Sequence, residues 1–212
     1  MFERRQEPRA LAVFKSAYVQ TTDGLEFVTL RNISDSGLCF DSWPGAAEGD
    51  EVEFCIDSNG LRKGTVRWVK GGLCGINSTE LSLSQWGPQM FPSRSVRLPL
   101  SVPAQLYLHG RSAAATLHNL SIRGACIRSD AALVRGQLVS LQIANACFER
   151  ADVRWERHGL FGLRFADPVH PSIFRDLVSR LQKQPASHTD AVPAFSYAAT
   201  NTPDYHRLSG VK

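Results

Sequence analysis

Residues 32–40 read Asn-Ile-Ser-Asp-Ser-Gly-Leu-Cys-Phe, and residues 119–127 repeat this stretch with substitutions as Asn-Leu-Ser-Ile-Arg-Gly-Ala-Cys-Ile. The two stretches are 87 positions apart, and the same offset places Val-Arg-Trp at 66–68 on Val-Arg-Trp at 153–155. Further matches at this offset, without gaps, run from Thr29 to at least Gly75. Such a pattern indicates an internal duplication, with a period that is too long for a solenoid unit and suits a small domain.

The duplication predicts two domains of one fold in this chain of 212 residues. We expect them at residues 1–88 and 92–184, because glycine and proline at 87–88 and a proline at 92 interrupt regular structure at the seam. Residues 185–212 are rich in Pro, Ser, Thr, Ala and Asn without periodic apolar residues, so we predict a disordered tail. With 43% hydrophobic and 21% charged residues, the composition excludes a wholly disordered, collagen-like or coiled-coil chain.

Each copy consists of short apolar or alternating runs that are separated by turn residues. In the first copy, Asn59-Gly60 lies between two such runs and is a typical tight-hairpin signal. Several short strands at this spacing predict a small all-β barrel or sandwich. The predicted strands of the first copy are residues 12–20, 26–31, 37–40, 51–56, 64–69 and 74–77.

The second copy adds a predicted helix at residues 171–181. Its apolar residues recur at helical spacing, so that they share one face. These residues are Ile173, Phe174, Leu177, Val178 and Leu181. We expect the helix to pack on its own barrel rather than on a partner.

The net charge of +4 is distributed unequally between the two halves of the chain. Residues 1–91 carry 9 basic and 12 acidic side chains, whereas residues 92–184 carry 13 and 6. The excess in the second half comes almost wholly from arginine. It predicts docking to the acidic first domain, an acidic protein partner, a nucleic acid or simple solvation. Nucleic acid is disfavoured, because the arginines and aromatic residues do not interleave as in an RNA-binding platform.

Other function classes find little support in the sequence. The N-terminus has no apolar signal-peptide segment, and no apolar run is long enough to span a membrane. Five cysteines without a CxxC pair, and six scattered histidines, predict reduced thiols in the cytoplasm and no metal site. Because nucleophile-elbow, P-loop and zinc-protease motifs are lacking, we predict no enzymatic activity and no cofactor.

Two clusters in the first copy have the chemistry of an anion and purine site. Arg5 and Arg9 form an RxxxR pattern just before the first predicted strand, and Asn32, Ser34 and Gly37 form NxSxxG between two strands. An arginine fork binds phosphate bidentately and can stack on a base or match the guanine edge. Asn and Ser supply hydrogen-bonding groups, and glycine allows close approach of the backbone. NxSxxG alone could equally be a structural turn.

In this order and spacing, the two motifs resemble the pattern of the PilZ domain family. The resemblance covers residues 3 to about 83 and, in repeat form, about 94 to 183. It implies a six-stranded antiparallel β-barrel that binds the bacterial second messenger cyclic di-GMP. By the family pattern, Arg5 and Arg9 would hold phosphate and guanine, Asn32 and Ser34 would contact a guanine edge, and Gly37 would keep the surface open. Arg4 stands at the position that influences whether one ligand molecule or an intercalated pair binds.

The second copy departs from this pattern. Asn119, Ser121 and Gly124 keep the second motif, but Arg94 and Arg97 are spaced RxxR and do not align with the arginines of the first copy. We therefore expect Asn119 and Ser121 to form a structural turn in a degenerate domain.

The sequence predicts a cytoplasmic bacterial effector with tandem PilZ-like domains. The first domain would bind cyclic di-GMP, and binding would change conformation or the surface offered to a protein partner. The basic second domain is one candidate surface for this partner. The alternative is a PilZ-like interaction adaptor that binds no nucleotide.

Overall fold

The computed structural model describes residues 11–57, 60–81 and 95–183. The predicted domain seam at 87–92 and the predicted tail at 185–212 lie outside these residues, as does most of the Asn59-Gly60 turn. The described residues form two closed antiparallel barrels and one helix, which confirms the predicted fold class.

The first barrel closes in the order β1-β2-β3-β6-β5-β4, so that β1 pairs with both β2 and β4. Its interior is filled by alternate residues of every strand, as the period of two requires. Val28 and Leu30 of β2 and Leu38 and Phe40 of β3 belong to this core. The strands are β1 (Leu11–Thr21), β2 (Gly24–Ile33), β3 (Gly37–Asp41), β4 (Glu51–Cys55), β5 (Arg62–Lys70) and β6 (Leu73–Asn77).

The second barrel repeats this topology, in the order β10-β11-β12-β9-β8-β7. Most strand ends fall at the predicted offset of 87 from their counterparts, for instance Gly37 and Gly124 at the starts of β3 and β9. The duplication therefore extends from sequence to architecture. The strands are β7 (Leu98–Leu108), β8 (Arg111–Ser121), β9 (Gly124–Arg128), β10 (Leu138–Ile143), β11 (Ala146–Arg157) and β12 (Leu160–Arg164).

Helix α1 (Pro171–Lys183) follows the second barrel, and Pro171 occupies the first helical position, where its missing N–H costs no hydrogen bond. The predicted apolar face buries Phe174, Leu177, Val178 and Leu181, whereas Ile173 is 59% exposed. This face shares a core cluster with the second barrel and packs on β2 of the first barrel. The helix therefore links the two barrels, whereas the sequence predicted packing on its own barrel alone.

The surface that the first barrel offers to this cluster is an apolar row on its outer side. Tyr18 pairs with Phe27 on β2 and with Cys55 on β4, and all three side chains are buried. They belong to the same cluster as α1 and the second barrel's core. The rings of Phe27 and Phe174 meet edge to face at 4.7 Å between centroids, a favourable aromatic arrangement.

Polar contacts add to this interface between the barrels. The side-chain amide of Gln182 accepts a hydrogen bond from the Leu25 N–H (2.5 Å) and donates one to the Leu25 carbonyl (2.7 Å). Arg175 donates through Nε to the Phe27 carbonyl (3.1 Å) and pairs with the Asp41 carboxylate at 3.4 Å. Asp41 also accepts from Nε of Arg31 at 2.6 Å. One carboxylate thus joins an arginine of each domain.

Candidate ligand-binding site

A cross-strand row on the outer side of the first barrel organises the candidate site. Ala12 of β1 pairs with Asn32 of β2, and Asn32 pairs with Cys39 of β3. Cys39 pairs with Gly75 of β6, which pairs with Trp68 of β5. Paired residues point to the same side of a sheet. The row therefore brings the NxSxxG segment next to residues that lie more than thirty positions further along the chain.

An open depression of about 430 Å³ follows this row. The predicted residues Asn32, Ser34 and Gly37 all line it, so the structure brings these three together. Arg67 and Trp68 also line it, although the sequence had indicated them only as members of the repeat. The remaining lining residues are Ser36, Leu38, Cys39, Gly75, Ile76 and Asn77.

Ser34 and Gly37 close a tight turn between β2 and β3. The Ser34 hydroxyl accepts from the Gly37 N–H (3.1 Å) and donates to the Gly37 carbonyl (3.0 Å). The same carbonyl accepts from the Ser34 N–H at 2.7 Å. Ser34 therefore has a structural role in its own turn, in addition to its place at the edge of the depression.

Two glycines are required where strands approach side chains or backbone closely. A Cβ on Gly37 would lie 2.6 Å from the carbonyl oxygen of Ile76. A Cβ on Gly75 would overlap the indole of Trp68, which covers this glycine. The indole remains 43% exposed. Trp68 therefore offers a fixed aromatic surface within the site, suited to stacking against a flat ring.

Arginine side chains supply the positive charge at the site, while the Cys39 thiol that lines the depression favours its neutral form. Burial raises the pKa of the Cys39 thiol, and the nearby Asp41 carboxylate raises it further. Arg67 is exposed at the wall of the depression. Arg31 is held by Asp41 and lies over the ring of Phe14 at 5.3 Å. The described part of the site thus combines a fixed aromatic ring, amide groups and a cationic fork.

The predicted arginines Arg4, Arg5 and Arg9 lie outside the described residues. Their segment joins the barrel at Leu11, which pairs with Ile33, next to Asn32. Arg9 precedes Leu11 by two residues in the sequence.

The second barrel repeats the row with different chemistry around it. Pro99, Asn119, Cys126, Gly162 and Trp155 pair in the same order across its strands. The Ser121 hydroxyl donates to the Gly124 carbonyl at 3.1 Å, and a Cβ on Gly124 would overlap the Leu163 carbonyl. Asn119 Oδ1 is buried and makes no hydrogen bond to the described residues. Ser121 and Gly124 thus form a turn like that of the first barrel, whereas Asn119 Oδ1 takes no part in it.

The described segments contain neither a metal-binding cluster nor a membrane-spanning helix. No cluster of three or more His, Cys, Asp or Glu side chains that could hold a metal ion occurs among residues 11–57, 60–81 and 95–183. In the same segments, no helix is long and apolar enough to cross a membrane. All five cysteines are free thiols.

The family model described as PilZ domain matches residues 3–87 and again residues 93–182. The chain belongs to the PilZ domain family. The two matches coincide with the two barrels, so this PilZ protein is a tandem one. A search of curated proteins found no match to the sequence.

Several solved structures resemble this PilZ protein at low identity. The PlzA protein of Borreliella burgdorferi in complex with c-di-GMP has 10% identity and a TM-score of 0.35, covering 78% of this chain and 86% of that chain. YcgR of Escherichia coli in complex with c-di-GMP has 15% identity and a TM-score of 0.32, with 78% and 81% covered. The inhibitor of motility MotI/DgrA of Bacillus subtilis has 10% identity and a TM-score of 0.34, with 80% and 97% covered. Family membership rests on the family model.

Proposed function

We propose that the first barrel binds cyclic di-GMP and that the protein is an effector of this second messenger. The observation that carries the proposal is the depression lined by Asn32, Ser34 and Gly37, at the end of the barrel where β1 begins with Leu11 beside Ile33. The family to which the chain belongs is one whose RxxxR and NxSxxG motifs bind this ligand. Both motifs are present here in the family's order.

Each part of the site suits one part of the ligand. Arg5 and Arg9, with Arg4 beside them, would supply forks for the phosphates and the guanine edge. The Asn32 side chain would hydrogen-bond a guanine edge, and Trp68 would provide a ring for stacking. Arg4 is compatible with an intercalated pair of ligand molecules. No bond of the ligand is broken in this proposal, which makes the protein a receptor rather than an enzyme.

Asp41 offers a route from the ligand to the rest of the molecule. It lies two residues after Cys39 on the same side of β3, and it holds both Arg31 and the helix residue Arg175. Phosphates close to Arg31 would compete with Asp41 for this arginine and would alter the contact with α1. We therefore propose that binding changes the docking of α1, or the surface shown to a protein partner, in the cytoplasm.

The alternative function is a PilZ-type adaptor that binds no nucleotide. Two contacts favour it: the Ser34 hydroxyl is already used within its turn, and Gly37 is required by the Ile76 carbonyl. Both motif residues therefore have a structural explanation that requires no ligand.

Calorimetric titration of the full chain with cyclic di-GMP separates the two functions. We expect heat of binding at micromolar concentration, and a loss of at least about tenfold in affinity for Arg5→Ala and for Arg9→Ala, because each removes charge-assisted hydrogen bonds. Arg135→Ala, at an exposed loop position of the second domain, is the matched control. Hydrogen exchange of the α1 amides, with and without ligand, reports on the proposed switch.

Absence of heat from the intact protein would reject the receptor function in favour of the adaptor. Binding that survives both arginine substitutions would show that the ligand occupies another site. Binding without any change in α1 exchange would remove only the proposed switch.

A further inference from the structure

The outer side of β9, β12 and β11 carries four exposed arginines of the second barrel. Arg128 of β9 pairs with Leu160 of β12, and Leu160 pairs with Arg157 of β11. At the other end, Arg164 pairs with Gly124 and with Asp152. We call the four exposed residues Arg128, Arg154, Arg157 and Arg164, together with the tryptophan at their centre, the arginine face.

Trp155 lies at the centre of the arginine face. It pairs with Gly162, midway between the row of Arg157 and the row of Arg164, and its indole covers this glycine. The side chain is 39% exposed. Four residues along a strand span about 13 Å and two strand spacings about 10 Å. The face is therefore broad, with cations at its borders and an aromatic ring in the middle.

The corresponding side of the first barrel has a different charge. Asp41 stands where Arg128 stands in the second barrel, and Asn77 stands where Arg164 stands, each at the offset of 87. These two positions alone make the second face more positive by three charge units. Asp152 in place of Thr65 takes one unit back, and Arg154 and Arg157 correspond to Arg67 and Lys70. The face is thus more positive than its counterpart by two charge units.

We propose that the arginine face is the docking surface for an acidic protein partner. This inference rests on the effector function proposed above and specifies the chemistry of its partner. Charge complementarity selects an acidic surface, and arginine forks bind carboxylates bidentately. An exposed tryptophan among arginines is the composition typical of interface hot spots.

The face also contains one carboxylate. Asp152 accepts a hydrogen bond from Arg154 at 2.8 Å, so the cations left for an acidic partner are Arg128, Arg157 and Arg164.

Fluorescence anisotropy of labelled probes with the full chain tests the proposal. The probes are an oligoglutamate peptide and an oligothymidylate of equal formal charge. We expect the peptide to bind more tightly, and Arg128→Glu and Arg164→Glu each to weaken its binding at least about tenfold. Arg111→Glu and Arg135→Glu make the same charge change at exposed positions away from the face and should leave binding within about twofold. Melting curves verify that each variant is folded.

Three results would overturn the proposal. The peptide could fail to bind, the control variants could weaken it as much as the face variants do, or the oligothymidylate could bind more tightly through the same arginines. The last result would make the arginine face a nucleic-acid site. Titration of the Arg128→Glu and Arg164→Glu proteins with cyclic di-GMP keeps the two proposals apart, because their affinity for the dinucleotide should equal that of the unmodified protein.

Discussion

The two barrels share one topology and differ in what their outer surfaces carry. On the first barrel, Phe27, Tyr18 and Cys55 form a buried apolar row across β2, β1 and β4. The equivalent row of the second barrel reads Ala114, Gln105 and Gln142 across β8, β7 and β10. The two barrels thus share an apolar interior but differ in this outer row, which is apolar in the first barrel and mostly polar in the second. This difference explains why α1 has an apolar surface to dock on at the first barrel.

A second difference concerns the side that carries the NxSxxG turn. In the first barrel, the carboxylate of Asp41 pairs with Arg31 and Arg175. At the equivalent positions the second barrel has Arg128 and His118, and burial together with the Arg128 charge lowers the pKa of His118. An ion pair has thus been replaced by two basic side chains. The first barrel carries the candidate site and the contacts to the helix on this side, whereas the second barrel carries the arginine face.

We expect the greatest loss of stability from removing the phenylalanine ring that joins the two barrels. Phe174→Ala should lower the free energy of unfolding by about 3–5 kcal/mol, because it leaves a cavity where a fully buried aromatic side chain had been. It also removes the edge-to-face contact with Phe27. Urea denaturation measures the loss, and hydrogen exchange should show faster exchange in α1.

Ile173→Ala is the matched control for this prediction. It truncates a neighbouring apolar side chain of the same helix, but one that is mostly exposed. We expect a change within about 0.5 kcal/mol, as for other surface substitutions. Equal losses in the two variants would contradict the view that the buried face of α1 holds the barrels together.

The fold was predictable because the same pattern of strands and turns occurs in both copies of the duplicated sequence. A turn at Gly37 and a turn at Gly124 are fixed by the same backbone contact, so both copies retain the glycine. The interface was less predictable, since Tyr18 and Phe27 look like ordinary strand residues. The available signal is that Phe27 and Val28 are consecutive and both apolar, which is typical of a strand that is covered on both sides.

The candidate site was predictable only as far as its local motif. Asn32, Ser34 and Gly37 lie close together in the chain, so their spacing indicates a common turn. Arg67 and Trp68 come from β5, and only the closure of β5 against β6 brings them to the same depression. Their recurrence at 154 and 155 was visible in the sequence. It could be interpreted as a requirement of the fold alone, because each tryptophan covers a glycine.

A matched pair of glycine substitutions tests whether the turns of the two barrels obey the same steric constraint. Gly37→Ala and Gly124→Ala should each cost about 1–3 kcal/mol, because the added methyl group meets the backbone carbonyl of Ile76 or Leu163. Denaturation of each variant measures the cost. Similar losses in the two barrels would identify the glycine as a requirement of the fold. A loss in the second barrel only would instead imply that Gly37 is kept for the ligand.

The smallest expected effect concerns Glu26, a partly buried carboxylate of β2 beside the docked helix. Burial raises the pKa of Glu26 above its ordinary value, Arg175 and Lys183 lower it, and Asp23 raises it. A raised pKa means that the folded state favours the protonated form. The stability associated with Glu26 is therefore fully present below the ordinary glutamate pKa of about 4.3 and is lost as the pH rises through the folded-state pKa.

Glu26→Gln should therefore match the unmodified protein in acid and become slightly more stable than it as the pH rises from about 4 towards neutrality. We expect the difference to stay below about 1 kcal/mol, as for other charges that solvent can reach. Denaturant titrations across this pH range measure it, with Glu51→Gln at an exposed position of β4 as the control. If the Glu26 variant is instead less stable at neutral pH, attraction to Arg175 and Lys183 outweighs the cost of burial. The Glu26 carboxylate would then join Asp41 among the negative charges that hold the helix on the first barrel. The second barrel has Ala113 at the equivalent position and therefore lacks this charge.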